Sequence, residues 1–167
     1  VGPALVDCVT TQQPGTNNLV IANTNSQVEN GVENNTNTTV LIRAGTYNVN
    51  NFVVNDGNIV MPYNCENVTI RTSSATNISN DDWIIQGLTF DDQASGGYTL
   101  SIQNSDNFIV RYNNFEDADS AFQIVKNASN GEVQFNFFEI CGDCDPSDLV
   151  RIGDGSNVGQ CTGSGFD

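Results

Sequence analysis

Three stretches of the chain superpose when their apolar and polar positions are written out. Trp83 to Phe90 (WIIQGLTF), Phe108 to Phe115 (FIVRYNNF) and Gly131 to Phe138 (GEVQFNFF) align so that Ile85, Val110 and Val133 coincide. Phe90, Phe115 and Phe138 coincide as well, and so do Asn113 and Asn136. The β-branched and aromatic positions recur after 25 and then 23 residues. Between the repeats lie second strand candidates at 98–103, 122–125 and 149–152. A period in the twenties with several short strands per unit is the sequence sign of a solenoid, in which each coil buries its apolar side only against its neighbours. The expected fold is all-β, a right-handed parallel β-helix of about five to six coils, roughly 25–30 Å long at one strand spacing per coil. An antiparallel sandwich also has short strands and turns, but it does not explain superposable motifs.

Upstream the pattern is less regular. Residues 1–39 are polar and serve as an N-terminal arm and cap, in which 19–33 reads as a short strand followed by a weak helix. Val40 to Tyr47 (VLIRAGTY) is a β-branched run broken by Gly45, a strand entering a tight bend. Further strand candidates follow at 52–54, 58–61 and 67–71, between Asn, Gly and Asp turns. The β-helix is expected over 40–155 and a C-terminal tail over 156–167.

Val40 to Tyr47 resembles the entry coil of pectate-lyase-like β-helix proteins, where a helix caps the N-terminal end and a strand leads into a Gly-Thr-Tyr bend. The phrases IIQGLTF and VRYNNFE also resemble coils of that superfamily. The resemblance spans roughly residues 18–155 and speaks to fold, since that fold hosts lyases, hydrolases, epimerases, adhesins and phage spikes.

Charge narrows the function classes. Twenty acids against five bases give a net charge of −15, which argues against nucleic-acid partners, because those require several cations to displace phosphate counterions. The absence of His removes the commonest general base and zinc ligand. No apolar run approaches a membrane span. Five Asn-x-Ser/Thr sequons, at Asn34, Asn37, Asn67, Asn77 and Asn127, are glycosylation candidates. Their number is what this much Asn, Ser and Thr produces by chance. Five cysteines, Cys8, Cys65, Cys141, Cys144 and Cys161, suggest two disulfides plus one thiol that is free or paired between molecules, in an oxidising, extracellular setting. The CxxC at 141–144 lacks the second CxxC or His of a zinc site, so a loop disulfide is the favoured reading.

Candidate chemistry follows from the coils. Asp91, Asp92, Glu116 and Asp117 trail the stacked Phe positions, and adjacent coils would bring them together. Stacked carboxylates repel unless a cation bridges them or they fan into solvent, so calcium is the candidate cofactor. Around Lys126 and Arg151 the chain resembles segments of alginate lyase and chondroitinase B relatives. That resemblance implies Lys126 as base and Arg151 as acid in β-elimination on acidic glycans. Asn80-Asp81-Asp82 is similar to a fragment of a polygalacturonase motif but lacks its His, and reads as a polar turn. Tyr63, Trp83, Tyr98 and Tyr112 are the candidate platforms for a sugar.

No amphipathic helix follows the strand at 149–152, so the last coil is expected to be uncapped, covered by its own loop, or covered by another molecule. The leading expectation is a secreted, extracellular structural or surface module that associates with copies of itself head to tail. A polysaccharide lyase, or a fragment of one, is the alternative. A carbohydrate-binding module is the third reading.

Overall fold

The computed structural model describes residues 8–73, 76–91, 99–118, 122–124, 127–140, 150–152 and 159–161, with residues 117, 118, 122, 123, 139, 140, 150–152 and 159–161 described for the backbone alone. The chain is a parallel β-solenoid. Its strands are β1 (Asn18–Ala22), β2 (Thr38–Ile42), β3 (Gly45–Val49), β4 (Ile59–Pro62), β5 (Val68–Thr72), β6 (Thr76–Ile78), β7 (Ile84–Gln86) and β8 (Thr89–Asp91). They continue as β9 (Leu100–Ile102), β10 (Ile109–Arg111), β11 (Asn114–Ala118), β12 (Phe122–Ile124), β13 (Glu132–Gln134), β14 (Phe137–Ile140), β15 (Val150–Ile152) and β16 (Gly159–Cys161). The one α-helix of the described residues, α1 (Asn25–Glu33), follows β1.

Three sheets form the walls. Sheet A runs β1-β2-β4-β7-β10-β13, sheet B runs β14-β11-β8-β5-β3, and sheet C runs β16-β15-β12-β9-β6. Every pairing is parallel except β15 with β16. Four coils have all three sides; ahead of them β2 and β3 give a turn with two sides and β1 adds one more strand to sheet A, somewhat fewer full coils than the repeat suggested. The segment at 52–54 forms no strand, although Phe52 and Val54 are buried there. The polar three-residue β6 was not expected.

The interior is built from the repeat positions. Ile85 pairs with Val110 and Val110 with Val133, while Phe90 pairs with Phe115 and Phe115 with Phe138. The column of sheet A extends upward through Val60, Val40 and Val20. Because parallel in-register strands repeat the same geometry, the rings stack face to face. Phe90 and Phe115 lie 5.1 Å apart at 12°, and Phe115 and Phe138 4.9 Å apart at 10°. Trp83 and Phe108 stack likewise at 5.4 Å.

The corners repeat as faithfully as the walls. The turn before sheet A places Asn37, Gly57, Asp82, Asn107 and Asn130 at φ between 50 and 67°, a left-handed conformation that Asn, Asp and Gly tolerate best. In the turn from sheet A to sheet B the same conformation falls on Gly87, Tyr112 and Phe135. Asn113 closes this second corner. Its Oδ1 accepts from the Leu88 N–H at 3.0 Å, its Nδ2 donates to the Ile85 carbonyl at 3.2 Å, and its own N–H donates to Asn136 Oδ1 at 2.9 Å. Asn136 Nδ2 in turn donates to the Val110 carbonyl.

The two ends differ. At the N-terminal end α1 packs Val28, Gly31 and Val32 over the first coil. A Cβ on Gly31 would stand 3.0 Å from Val40, so glycine permits this close approach. Thr24 caps the helix, accepting from the Gln27 N–H. Buried Asn58 ties the helix end to the coils by donating to the carbonyls of Val32 and Asn35. Residues 8–17 then strap the outer face of sheet A. The Gln13 N–H donates to Thr39 Oγ1, the Thr16 and Thr39 hydroxyls share a hydrogen bond, and Cys8 is bonded to Cys65. Leu41 and Met61, which point outward, are buried. At the C-terminal end β16 folds back antiparallel on β15 and covers the edge of sheet C. No described strand pairs beyond β13 or β14.

Candidate functional site

Two surfaces of the solenoid stand out chemically, the open C-terminal coil and the outer face of sheet B. At the open coil Val133 is 37% exposed even though it belongs to the interior column. Phe135, in the left-handed corner, is 61% exposed, with one face stacked on Tyr112 at 5.2 Å. At the opposite edge of the same sheet, β1 leaves Leu19 40% and Ile21 46% exposed. Sheet A therefore carries apolar surface at both edges, neither of which is paired among the described residues.

On sheet B the acids expected to share a site are brought together in part. Asp91 and Glu116 are partners in the register of β8 and β11, one strand spacing apart on the outward face. Asp91 is nearly buried, and Arg71 Nε donates to its Oδ2 at 2.7 Å. Asn114 Nδ2 donates to Glu116 Oε1 at 2.5 Å. The charge of Asp91 is thus met by Arg71, and Glu116 is held by an amide. Asp92 lies outside the described residues, and Asp117 is placed on β11 by its backbone alone. Among the described residues no group of three or more His, Cys, Asp or Glu side chains is arranged to hold a metal ion such as calcium.

The chain matches no known family model, no curated protein and no solved structure. What the surfaces can do therefore rests on their chemistry.

Asp81, which the sequence placed in a polar turn, belongs to the most regular ionic feature of the described residues. Asp56, Asp81 and Asp106 stack at one corner, the first two accepting a backbone N–H of the next coil and the third accepting from its side chains. The Asp81 N–H donates to Asp56 Oδ1 at 2.8 Å and the Asp106 N–H to Asp81 Oδ1 at 2.7 Å. Ser129 and Asn130 then donate to Asp106 Oδ1. These hydrogen bonds, with Ser129 the strongest contributor, hold the Asp106 carboxyl below its ordinary value. Their shared spacing of 25 residues was the available signal. Glu66 is likewise lowered, chiefly by Arg43, whose Nε lies 2.8 Å away and whose guanidinium sits over Tyr63. Glu33 moves the other way, raised by burial, and its Oε1 has no partner.

Lys126 lies outside the described residues, as do Tyr98, Cys141 and Cys144. Arg151 stands on β15 in register with Gln123, and Cys161 on β16 opposite Val150, both by backbone alone. Trp83 is no sugar platform. It is fully buried, its Nε1 donating to the Asn80 carbonyl and to Ser105 Oγ. All five sequon asparagines, Asn34, Asn37, Asn67, Asn77 and Asn127, are exposed.

Proposed function

We propose that the chain is an extracellular structural or surface module that associates with copies of itself head to tail through sheet A. The carrying observation is that, among the described residues, no strand pairs with either edge of sheet A, with Val133 and Phe135 exposed at one and Leu19 and Ile21 at the other. Edge strands with exposed apolar side chains are templates for another chain. The inward column runs from Val20 to Val133, so placing β13 of one copy beside β1 of the next continues the same ladder. A contact between unlike ends repeats into a filament when it does not close into a ring. The disulfide suits an oxidising compartment. The exposed sequons are within reach of glycosylation on the flanks of such an assembly.

Two end-blocked variants test this, Val133→Lys at one edge and Leu19→Lys with Ile21→Lys at the other. In sedimentation velocity each variant alone should run as a monomer, and an equimolar mixture should form a 1:1 dimer, because one intact head then meets one intact tail. A wild-type chain that stays monomeric up to about millimolar concentration, the range of weak association, would refute the proposal. So would a mixture that never pairs.

A further inference from the structure

The corner before sheet A repeats a two-residue device in successive coils. Asp82-Trp83, Asn107-Phe108 and Asn130-Gly131 each join a left-handed Asn or Asp to a residue at one place in the ladder, where the Ile109 N–H bonds the Trp83 carbonyl and the Glu132 N–H the Phe108 carbonyl. Trp83 and Phe108 are buried there and stacked. Gly131 takes the third place because the Phe108 ring already fills it, and a Cβ would stand 2.0 Å from Phe108 Cζ. The left-handed turn thus selects Asn and the ring beneath selects Gly. This corner is left with an Asn-Gly step, and both residues are exposed. At such a step no Cβ keeps the backbone nitrogen from the preceding side-chain amide. The other Asn-Gly and Asp-Gly steps among the described residues are protected. Asn30-Gly31 lies in α1, where Gly31 is buried and its N–H belongs to the helical ladder. At Asp56-Gly57 the Gly57 N–H donates to the Asp81 carbonyl at 3.0 Å. Among the described residues the Gly131 N–H has no acceptor.

We propose that Asn130-Gly131 is a self-modification site, at which the folded chain deamidates and so loosens the coil that begins at β13. The Gly131 nitrogen gives up its proton to solvent base and forms a bond to Asn130 Cγ. The Cγ–Nδ2 bond breaks, and Nδ2 leaves as ammonia. Water then opens the cyclic imide on either side, giving aspartate, or isoaspartate with the main chain routed through Cγ. One water is consumed and no redox partner is needed. Either product damages the corner. Asn130 Nδ2 donates to Asp106 Oδ1 at 2.8 Å, and Ser129 followed by this bond holds the Asp106 carboxyl below its ordinary value. Deamidation sets a second carboxylate against the first, replacing a hydrogen bond with repulsion. Isoaspartate adds a main-chain carbon at a turn whose next residue is pressed on Phe108. The chemistry requires no second copy, so this site and head-to-tail association stand or fall separately.

The test is to age the dilute full chain in mildly alkaline buffer, both native and in urea. Each Asn-Gly step is followed by peptide mass mapping and an enzymatic isoaspartate assay. In urea both steps are open, and Asn30 and Asn130 should convert at similar rates. In the native chain Asn130 should convert at least about tenfold faster than Asn30, whose helix must open first. Equal native rates at the two steps, or a folded chain in which neither converts, overturn the proposal. The consequence is read on Asn130→Asp. Its urea midpoint should fall below that of the wild type at neutral pH and approach it as the two carboxylates protonate. No deficit, or a deficit that does not shrink on acidification, removes the assigned repulsion and overturns the proposal as well.

Discussion

Replacing Asn113 by Ala should be one of the most damaging single changes away from the aromatic core. Asn113 is 2% exposed, so water cannot take over what its side chain does. The substitution strands the Leu88 N–H, which sits in the corner between β7 and β8 and donates to Asn113 Oδ1 at 3.0 Å. It also removes the Nδ2 donor to Ile85 at 3.2 Å and to Asn136 at 3.1 Å. A buried donor left unpaired costs about 1–3 kcal/mol and each of the two further lost hydrogen bonds about 1 kcal/mol, so the sum is about 3–5 kcal/mol. Asn136 makes the equivalent bonds one coil later but is half-buried, and Asn136→Ala should cost about 1 kcal/mol because solvent can re-pair the freed groups. In urea titrations with a slope of about 2 kcal/mol/M, the first change lowers the midpoint by about 1.5–2.5 M and the second by about 0.5 M. Equal shifts, or a shift at position 113 below about 0.3 M, would mean that the amide ladder is not what closes this corner.

The disulfide and the corner acids supply two further predictions. Cys8 and Cys65 are 57 residues apart, and chain-entropy reasoning for a loop of that size assigns the bond about 4 kcal/mol. Cys65→Ser should lower stability by up to that amount and free the strap, making the amides of β2 and β4 the most accelerated in hydrogen exchange; unchanged exchange there would show that the strap holds without its covalent tie. Because the folded carboxyls of Asp106 and Glu66 titrate below their unfolded values, they contribute stability above the unfolded value that is lost as pH falls through the folded one. Glu33, raised by burial, acts in the opposite sense and penalises the fold once ionised. The urea midpoint should therefore fall on acidification below about pH 4. Asp106→Asn, which keeps an acceptor but no charge, should flatten that fall. Glu33→Gln should raise the midpoint at neutral pH, and a drop would contradict the assigned burial.

The walls of the solenoid were legible because a parallel ladder requires the same kind of residue at the same place in every coil. Ile85, Val110 and Val133, or Phe90, Phe115 and Phe138, announce themselves by recurrence alone. Short strands such as β6 escaped, since three residues with Asn in the middle carry too little alternation to distinguish from a turn. Trp83 was misread as a sugar platform because its burial depends on partners from other segments, the Asn80 carbonyl and Ser105 Oγ, that no local pattern reveals. The Asp56, Asp81 and Asp106 ladder escaped for a related reason. An Asp in an Asn- and Gly-rich turn looks the same whether it faces water or accepts the next coil's N–H.

The corner ladder changes what the net charge of −15 means for this molecule. Acids stacked on neighbouring coils suggest a metal when only their spacing is known. Here the three corner carboxylates each accept backbone or side-chain hydrogen bonds across the coil boundary, and Asp91 is answered by Arg71. Part of the charge is thus structural, closing turns whose N–H groups would otherwise lack partners. What remains on the flanks opposes close packing of one solenoid beside another. Side-to-side contact is disfavoured on electrostatic grounds, whereas the exposed groups at the two edges of sheet A are apolar. The distribution of acids therefore favours association through the ends.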